Sequence, residues 1–535
     1  MSVAYRLEYM RGARLRVFCF TFACALPRVT INRMCTDSVA LHPGLDEVRE
    51  YAAAGQYTRC PVAMRLLSDF LTPVGALAIL KNASDHVFLL ESAGQNNTWG
   101  RYTFLGLNPS LEVTARDGQV TITPGETFTA HPSQVIRDIL ARYRSPKVPG
   151  MPTFTGGLVG YFAYDYVKYA EPSLQLAAAN PHGFNDVDLM LFETVIAFDN
   201  YAQTIQLITN IDVQAPDLEA AYARAAAHLQ ELAQLLVSGT PSPHTHGRLT
   251  GPITAALSEA EFTQLVRRAQ HYIHEGDIFQ IVPSNALSAP FEGSLFDTYR
   301  VLRTINPSPY MFYFSGDAIE IAGASPETLV KLADGVLHTF PLAGTRPRGK
   351  TPAEDEALAA ELLADPKERA EHNMLVDLGR NDIGKISEFG TVEVEKYMEI
   401  LRFSHVMHIG SVVRGKIRAD KDALDAVEAL LPAGTLSGAP KIRAMEIISE
   451  LEGDRRGLYG GALGYLDFSG NLDVCIAIRC AYKAGGRVWA RSGAGIVQDS
   501  VPETEYRETV NKAAAMLDAL RVAEELTGPG NVVLP

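Results

Sequence analysis

The chain has 535 residues, of which 47% are hydrophobic and 21% charged. This composition is typical of a folded globular protein and excludes disorder over most of the chain, and the length predicts two or more domains. Acidic residues outnumber basic ones by 62 to 48, which gives a formal net charge of −14. Because nucleic-acid binders concentrate positive charge, the sequence predicts no nucleic-acid partner. No apolar run approaches the ~18 residues of a membrane-spanning helix, so no membrane partner is predicted either.

Residues 1–45 are predicted to form an extension outside the folded domains. The first 33 residues carry six arginines and one acid, Glu8, together with a short apolar run, Val17–Leu26. A basic flank before a short apolar run is typical of a targeting segment, and a non-native start upstream of Met34 is the alternative. The six cysteines form no CxxC pair and no metal-binding spacing, which is typical of a reducing compartment.

The next elements in chain order are predicted to be antiparallel strands followed by a helix. Alternating patterns on both sides of Asp117-Gly118 predict a hairpin with a tight turn. Residues 190–197 and 204–211 flank a polar turn and predict a second hairpin. Apolar residues at helical spacing over 216–236 predict an amphipathic helix.

A stretch rich in proline, glycine and polar residues, 237–255, is predicted to link an N-terminal lobe over 57–236 to a catalytic domain over 256–525. The second part repeats the same kinds of element. Its signals are turns at 334–335, 469–470 and 485–486 and helical patterns over 258–275, 353–379, 421–431, 440–452 and 503–526. Because strands pair through tight turns and helices form separate runs, we expect an α+β fold. Its two lobes are predicted to be built on antiparallel β-sheets with helices packed outside.

Two pairs of glutamates are the most informative feature for chemistry. One predicted helix places Glu368 and Glu371 on the stripe that carries its apolar residues, and a second places Glu505 and Glu508 with the same spacing. Carboxylates on a core-facing stripe repel each other unless a cation or a proton compensates them. Four oxygen donors on two facing helices suit Mg²⁺, which retains several waters. A solvated helix face is the alternative for either pair taken alone.

Glycine-rich stretches are a second feature, since glycine lets backbone N–H groups approach an anion closely. They lie at 323–327, 342–349, 434–441 and 492–495, and none matches a phosphate-cradling loop. Arg479 stands at the end of a predicted strand, 474–479, where a guanidinium can clamp a carboxylate. Ordinary turns and a surface arginine are the alternatives. His408 lies in an apolar run, where a hydrogen-bonded core histidine is the alternative to a catalytic one.

Motifs of one family occur in order from about Tyr57 to Leu520. They are His274-Glu-Gly-Asp-Ile-Phe-Gln280, Ala322-Gly-Ala-Ser-Pro-Glu327, LAGTRPRG at 342–349, KERAEHNMLVDLGRNDIGK at 367–385, AGTLSGAPK at 433–441, GLYGGALGY at 457–465 and PETEYRETVNK at 502–512. This ordered set resembles the chorismate-utilising enzymes, and among them the anthranilate synthase component I family. The resemblance implies a Mg²⁺-dependent lyase that aminates chorismate at C2 with loss of the C4 hydroxyl. Pyruvate elimination then gives anthranilate, in the first committed step of tryptophan biosynthesis.

The resemblance also implies roles for the glutamates and for a histidine. Glu371 and Glu508 are implied as direct Mg²⁺ ligands, and Glu368 and Glu505 as holding metal-bound water, with Glu368 also counted as catalytic. His408 is similar to the family's active-site histidine, which assists loss of the C4 hydroxyl or the later proton shift.

The residues implied to bind chorismate are grouped around its two carboxylates. They are Gly344, Thr345, Thr435 and Gly495 at the ring carboxylate, Tyr459, Arg479 and Gly493 at the enolpyruvyl carboxylate, and Lys512 as a further contact. Thr435 is also implied in catalysis. A dianionic substrate in an acidic protein needs a cation and an arginine in order to bind, which agrees with these roles.

Two positions distinguish the members of this family. Aminodeoxychorismate synthases carry a nucleophilic lysine where this chain has Ala343, and isochorismate synthases carry a basic lysine where it has Gln280. Both positions favour ammonia as the incoming nucleophile. Aminodeoxychorismate synthase component I, isochorismate synthase and a non-catalytic tryptophan-sensing subunit stay open as alternatives.

The resemblance further implies feedback inhibition by L-tryptophan. The implied site combines Glu91 and Ser92, which would take the amino group, with Pro309, Tyr310 and Met311, of which Tyr310 and Met311 would line the indole pocket.

Ammonia is expected to come from a separate glutamine amidotransferase subunit, component II, in a hetero-oligomer. No cysteine occurs between residues 61 and 474, so no thiol-dependent glutaminase is predicted on this chain. The expected location is cytoplasmic, or plastid if residues 1–45 are a genuine transit segment.

Overall fold

The computed structural model of the chain describes residues 40–92, 100–174, 176, 178–242, 246–402 and 406–526. The elements given below belong to one compact unit that begins at Leu41. Most of the predicted extension over 1–45 therefore lies outside the described residues. Within the described ranges, no helix is both long enough and apolar enough to cross a membrane.

The helices are numbered in chain order. They are α1 (Leu45–Ala53), α2 (Pro73–Ala83), α3 (Pro132–Leu140), α4 (Val167–Ala170), α5 (Leu218–Ser238), α6 (Glu259–His274), α7 (Phe296–Ile305), α8 (Pro352–Ala364), α9 (Pro366–Gly384), α10 (Ala423–Leu430), α11 (Lys441–Glu452) and α12 (Pro502–Glu524), with short 3₁₀ helices at Tyr164–Tyr166 and Gly434–Leu436.

The strands are numbered in the same way. They are β1 (Arg59–Leu67), β2 (Val87–Glu91), β3 (Tyr102–Leu107), β4 (Leu111–Arg116), β5 (Gln119–Thr123), β6 (Thr127–Thr129), β7 (Gly157–Phe162), β8 (Val187–Phe192), β9 (Thr194–Asp199), β10 (Thr204–Asp212), β11 (Arg248–Leu249), β12 (Thr254–Ala255), β13 (Gln280–Ile281), β14 (Ser284–Glu292), β15 (Tyr310–Ser315), β16 (Glu320–Ser325), β17 (Thr328–Ala333), β18 (Val336–Thr339), β19 (Leu342–Pro347), β20 (Glu393–Arg402), β21 (Val406–Lys416), β22 (Gly438–Ala439), β23 (Ala462–Asp467), β24 (Leu472–Ile476), β25 (Cys480–Ala484) and β26 (Arg487–Gly493).

These strands form two twelve-stranded sheets and a small β13–β22 pair. Sheet one has the order β1-β10-β9-β3-β2-β15-β16-β25-β26-β14-β11, with β12 also on β14. Sheet two has the order β19-β21-β18-β17-β24-β23-β7-β8-β4-β5-β6, with β20 also on β21. Strands from both sides of 237–255 share each sheet, through the antiparallel pairs β2–β15 and β7–β23. The two parts of the chain are thus continuous within the sheets, and the domain boundaries stay a prediction.

The sheets face each other across an apolar layer, and the helices cover their outer faces. The inner layer includes Phe88 and Phe312 from sheet one and Phe192 and Tyr465 from sheet two. Helices α2, α5, α7 and α12 contribute to the apolar cluster that includes strands of sheet one, and α3, α9 and α10 to the cluster of sheet two. The predicted α+β class, with antiparallel sheets and helices outside, is confirmed.

Several local predictions are confirmed, and one strand is shorter than predicted. Asp117 and Gly118 both have left-handed backbones, at φ 50° and 79°, as the tight turn between β4 and β5 requires. The pattern over 353–379 corresponds to α8 and α9, which Asp365 separates. The strand predicted over 474–479 ends at Ile476, and Arg479 takes a left-handed backbone at φ 50° between β24 and β25.

Candidate active site

The start of α9 fixes the first glutamate pair against β19. The Asp365 carboxylate accepts hydrogen bonds from the backbone N–H groups of Lys367 at 2.9 Å and Glu368 at 3.3 Å, which caps the helix. Glu368 and Glu371 follow one turn apart. Gly344 on β19 faces the first of them, since a Cβ added there would lie 3.0 Å from the Glu368 Oε2 atom. The φ of Gly344 is also +67°, so both space and backbone favour glycine at this position.

The start of α12 presents the second pair beside the end of β26. Glu505 and Glu508 lie in the first two turns of a helix that opens with Pro502. The Lys512 ammonium donates to the Glu508 carboxylate at 2.6 Å and to the Gly493 carbonyl at 3.2 Å. Lys512 therefore connects the second pair to the strand end that was predicted to contact substrate.

The two helices bring the four predicted carboxylates into one electrostatic environment. Burial raises the pKa of Glu371, and the charges of Glu368 and Glu508 raise it further. Burial also raises the pKa of Glu505, and Glu508 adds to that effect. Arg346 donates to Glu368 at 3.3 Å, but it also pairs with Glu361 and Asp365 outside the quartet.

A hydrated divalent cation fits this quartet. Glu371 and Glu505 are held in surroundings that disfavour their charged forms, and a cation relieves that cost. The donors are all carboxylate oxygens, as Mg²⁺ prefers. In the described part of the chain the four groups do not converge to within 4.8 Å of one another, as the ligands of a compact cage would. An ion held by these side chains would therefore need water molecules among its ligands.

His408 on β21 is hydrogen bonded to the segment that carries Gly344. Its Nδ1 atom lies 2.8 Å from the Gly344 carbonyl oxygen and 3.1 Å from the Thr345 hydroxyl. A carbonyl oxygen only accepts, so we assign the ring proton to Nδ1, which leaves Nε2 as an acceptor. Burial lowers the pKa of His408, and the charge of Arg479 lowers it further against the opposing Gly344 hydrogen bond. The imidazole is therefore neutral near pH 7.

Thr435 and Arg479 both act on a half-buried acid, Glu327. The Thr435 hydroxyl donates to the Glu327 carboxylate at 3.1 Å. Burial raises the pKa of Glu327 to about 7, although Thr435, Arg479 and Lys512 act in the opposite direction. Burial lowers the pKa of Arg479, and Glu327 opposes that shift. A carboxyl group that titrates near neutral pH can deliver a proton.

Glu327 was not among the predicted site residues. Its signal was the motif Ala322-Gly-Ala-Ser-Pro-Glu327, which places an acid directly between β16 and β17. A cavity borders Glu327 and Thr435 and is closed on another side by Leu375 and Leu378 of α9.

Glycines at the end of β26 leave room for the remaining predicted contacts. A Cβ at Gly493 would lie 2.7 Å from the Pro283 carbonyl oxygen and 3.0 Å from the Tyr459 hydroxyl. A Cβ at Gly495 would lie 3.0 Å from the Gln280 side-chain nitrogen. The structure thus places Tyr459 beside Gly493 and Gln280 beside Gly495.

The predicted feedback residues lie on two neighbouring strands of sheet one. Glu91 ends β2 and is directly opposite Met311 on β15. The Glu91 carboxylate already accepts hydrogen bonds from Tyr299 and Arg303 of α7. Ser92 follows Glu91 and is half-buried.

Tyr310 and Met311 point to opposite faces of sheet one, because they are successive residues of a strand. Met311 lies in the apolar cluster on the helix-covered face, whereas Tyr310 packs against the layer between the sheets. The Tyr310 hydroxyl donates to Asp473 of sheet two at 2.8 Å. Pro309 precedes them and is half-buried. The structure therefore brings Glu91 beside Met311, but it does not bring Tyr310 to the same face.

Comparison with known proteins agrees with this architecture. The family model of chorismate binding enzymes matches residues 85–518. The anthranilate synthase component 1 of Acetivibrio thermocellus is 42% identical over 496 residues, which is 91% of this chain and 99% of that protein. That of Pseudomonas aeruginosa is 44% identical and covers 88% of this chain and 98% of its own length.

A solved structure shares the fold. It is anthranilate synthase component I from Streptococcus pneumoniae, with a TM-score of 0.70 and 36% identity over 84% of this chain and 98% of that one. The chain therefore belongs to the chorismate-binding enzyme family and, within it, to the anthranilate synthase component I group.

Proposed function

We propose that this chain is the aminating and pyruvate-eliminating subunit of an anthranilate synthase. The observation that carries the proposal is the meeting of two glutamate-bearing helices, α9 and α12, in one electrostatic environment. Glu368 of the first pair faces Gly344, whose carbonyl oxygen is hydrogen bonded to His408. Glu508 of the second pair is linked through Lys512 to the Gly493 carbonyl at the end of β26. The near-full-length similarity to anthranilate synthase component 1 proteins selects the reaction within the family.

Glu371 and Glu508 are proposed to hold Mg²⁺ directly, and Glu368 and Glu505 to hold its water. When bound, the ion supplies positive charge for the ring carboxylate of chorismate. Arg346 keeps Glu368 oriented through a 3.3 Å ion pair.

The chain's own donors are proposed to hold the two substrate carboxylates. Arg479 is half-buried and has a lowered pKa, so it is poorly compensated until an anion arrives. Together with the Tyr459 hydroxyl beside Gly493 it would bind the enolpyruvyl carboxylate. Gly344 and Gly495 present backbone without a side chain, which suits close approach of the ring carboxylate.

Glu327 and His408 are proposed to move the protons. Ammonia forms a bond to C2 of chorismate, the ring double bonds shift, and the C4–O bond breaks. Glu327 gives its proton to the departing hydroxyl, which leaves as water. A base then takes the C2 proton, the C3–O bond breaks, and the enolpyruvyl group leaves and is protonated to pyruvate. Neutral His408, with Nε2 as acceptor, suits this second step.

Two neighbours of the site support amination by ammonia over the sister reactions. Ala343 is buried beside Gly344 and offers no nucleophile. Gln280, beside Gly495, cannot act as the base that activates water for isochorismate formation.

The ammonia is proposed to come from a separate glutamine amidotransferase subunit in a hetero-oligomer, and L-tryptophan to inhibit the complex through the segments around Glu91 and Met311. We place the chain in the cytoplasm, where the buried thiols of Cys60, Cys475 and Cys480 remain unpaired, as they are in the structure.

The direct test mixes the purified chain with chorismate, Mg²⁺ and an ammonium salt, and follows anthranilate fluorescence and pyruvate release. Formation of both products in equal amounts is the expected result. Loss of activity on removing Mg²⁺, restored by adding it back, would support the quartet. Aminodeoxychorismate or isochorismate without pyruvate would identify a sister enzyme, and tryptophan binding without turnover would identify a sensing subunit.

A further inference from the structure

A compact group of metal-ligand side chains lies outside the active site. His86, Glu112 and Asp317 each offer one ligand atom, and these atoms all lie within 4.8 Å of one another. Among the residues that the structure describes, it is the one group of three or more histidine, cysteine or acidic residues that reaches this compactness. The His86 Nε2 atom lies 3.2 Å from an Asp317 carboxylate oxygen.

The three side chains come from both sheets. His86 directly precedes β2, and Asp317 lies in the turn between β15 and β16, so both belong to sheet one. They are close because β2 and β15 are paired, with Val87 opposite Ser315. Glu112 lies on β4 of sheet two. An ion held by all three would therefore connect the two sheets near the ends of β2, β4 and β15.

The turn that carries Asp317 approaches Glu112 closely because Gly316 has no side chain. A Cβ at Gly316 would lie 2.3 Å from the Met190 methyl carbon, 3.5 Å from the Glu112 Oε1 atom and 3.9 Å from the His86 ring. A side chain here would displace the neighbours and fill the space between the donors.

A buried acid behind Glu112 supplies an independent observation. Asp188 is only 1% exposed, and neither of its carboxylate oxygens has a partner with hydrogen-bonding geometry. It lies on β8, on the same face as Glu112, since Glu112 is opposite Met190 two residues farther along. Glu112 and Asp317, two members of the group itself, disfavour the charged form of Asp188, whereas the nearby Asn185 side chain favours it. A buried carboxylate that faces two other acids is costly unless a cation or a shared proton compensates it.

We propose that His86, Glu112 and Asp317, with Asp188 behind Glu112, bind one divalent transition-metal cation that connects sheet one to sheet two. An imidazole with carboxylates suits Zn²⁺, whereas Mg²⁺ prefers oxygen ligands alone. The exposed Asp317, at 74%, leaves the site open to entering ions. The site is separate from the glutamate quartet and does not depend on the proposed function.

The experiment uses the full chain after treatment with a chelator, in excess Mg²⁺ so that the quartet is saturated. Zn²⁺ is then titrated calorimetrically, and thermal unfolding is followed with and without the ion. We expect one Zn²⁺ to bind per chain, to resist displacement by Mg²⁺ and to raise the unfolding temperature, because it binds only the folded state. Absence of this binding in the wild-type chain would overturn the proposal.

Three variants locate the ion. His86→Asn combined with Asp317→Asn is expected to lose the Mg²⁺-resistant binding, while Glu371→Gln is expected to keep it. Asp188→Asn is expected to weaken Zn²⁺ affinity by about 10- to 100-fold, as changes behind a ligand commonly do.

The matched control is His271→Asn combined with Glu275→Gln, at an exposed histidine on α6 and the acid that follows this helix. Their ring and carboxylate lie 3.8 Å apart, and the described residues place no third ligand beside them. Binding that the control removes, or that the His86–Asp317 variant retains, would overturn the assignment. Circular dichroism of the metal-free variants confirms that each is folded. If Asp188 and Glu112 instead share a proton, Asp188→Asn would stabilise a chain that binds no Zn²⁺, and the proposal would be wrong.

Discussion

One acid with a buried side chain, Glu452, and a group of four half-buried acids differ in how their charge is compensated. Glu452, on α11, accepts hydrogen bonds from the Arg456 guanidinium at 2.6 and 3.0 Å and from the backbone and hydroxyl of Ser284, with Arg491 at 3.3 Å. Burial raises the pKa of Glu452, but the two guanidinium groups outweigh it and hold the pKa below its usual range. The charge of this carboxylate is compensated by protein donors, so no ligand is needed to compensate it.

The quartet of Glu368, Glu371, Glu505 and Glu508 shows the opposite arrangement. Burial and mutual repulsion raise the pKa of Glu371 and Glu505, and the neighbouring cations pair with the other two members. Paired acids hold a fold together, whereas acids that raise one another's pKa mark a place for an ion. We therefore propose that the same residue type serves structure at Glu452 and function at the quartet.

The largest effect is expected when a member of the quartet loses its charge. Glu371→Gln should lower kcat by about 1,000-fold at saturating Mg²⁺, because an electrostatic contact of this kind contributes several kcal/mol. The folded-state pKa of Glu371 is raised, so its ionisation costs stability as pH rises through the usual glutamate range. The variant should therefore unfold at the same temperature as the wild type or higher, measured without metal.

Glu231→Gln is the matched control, since Glu231 is an exposed residue of α5 far from the site in sequence. It should leave both turnover and unfolding unchanged. Full activity in Glu371→Gln would show that Glu371 is not a Mg²⁺ ligand. The proposed difference in role between Glu452 and the quartet would then be wrong.

Substitution of Glu452 should have the opposite result, a loss of folding stability. Glu452→Gln leaves the buried Arg456 guanidinium without its carboxylate and Arg491 with Asp454 alone, which costs about 3–5 kcal/mol of folding free energy. Because the folded-state pKa of Glu452 is lowered, its contribution is present at neutral pH and is lost as pH falls below the usual glutamate range. Denaturant unfolding at pH 7 and at pH 4 measures both parts, and the difference between variant and wild type should shrink at the lower pH.

Local features of both helices of the quartet could be predicted from the sequence. Asp365 and the prolines at the helix starts fix where α9 and α12 begin, so the spacing of each glutamate pair follows from helix geometry. The hairpin at Asp117-Gly118 could be predicted for the same reason, because its turn depends on two adjacent residues.

Features that depend on distant residues could not be predicted in this way. The pairing of Glu91 with Met311, and of β7 with β23, joins segments far apart in the chain. Glu327 has an unusual pKa only because folding buries it beside Thr435 and Arg479. Likewise, the His86–Glu112–Asp317 group exists only once the two sheets meet.

Glu327 lies between these two cases, since it is half-buried and its charge is only partly compensated by Thr435 and Arg479. Glu327→Gln should lower kcat by about 100-fold or more, the usual contribution of a general acid. In the wild type, kcat/KM should fall as pH rises above about 7, because Glu327 loses its proton there. The variant should lose this dependence while keeping the wild-type fold.

The corresponding fall in kcat should occur at higher pH, since the dianionic substrate disfavours ionisation of Glu327 in the complex. A variant that retained the wild-type pH profile would show that another group supplies the proton. Thr435→Val offers a second check, because it removes a hydrogen bond that lowers the pKa of Glu327 and should move the fall in kcat/KM to higher pH.

The smallest effect is expected at Glu91. Its ion pairing indicates a structural role, whereas the sequence predicts that it contacts tryptophan. Glu91 is paired with Arg303 and Tyr299, as Glu452 is with its arginines, and by that rule it holds the fold together. As a tryptophan contact, however, its loss removes one charged hydrogen bond, so Glu91→Gln should raise the inhibition constant for L-tryptophan by about tenfold. Ser92→Phe should relieve inhibition too. Uninhibited kcat should stay near the wild-type value in both variants.

The measurement is anthranilate formation at graded tryptophan concentrations, with thermal unfolding of each variant alongside. Unchanged inhibition together with a marked loss of stability in Glu91→Gln would place Glu91 with Glu452 and move the feedback site elsewhere. Relief of inhibition with little loss of stability would mean that Arg303 and Tyr299 orient the carboxylate for a ligand. In that case pairing alone would not distinguish a structural acid from a binding one.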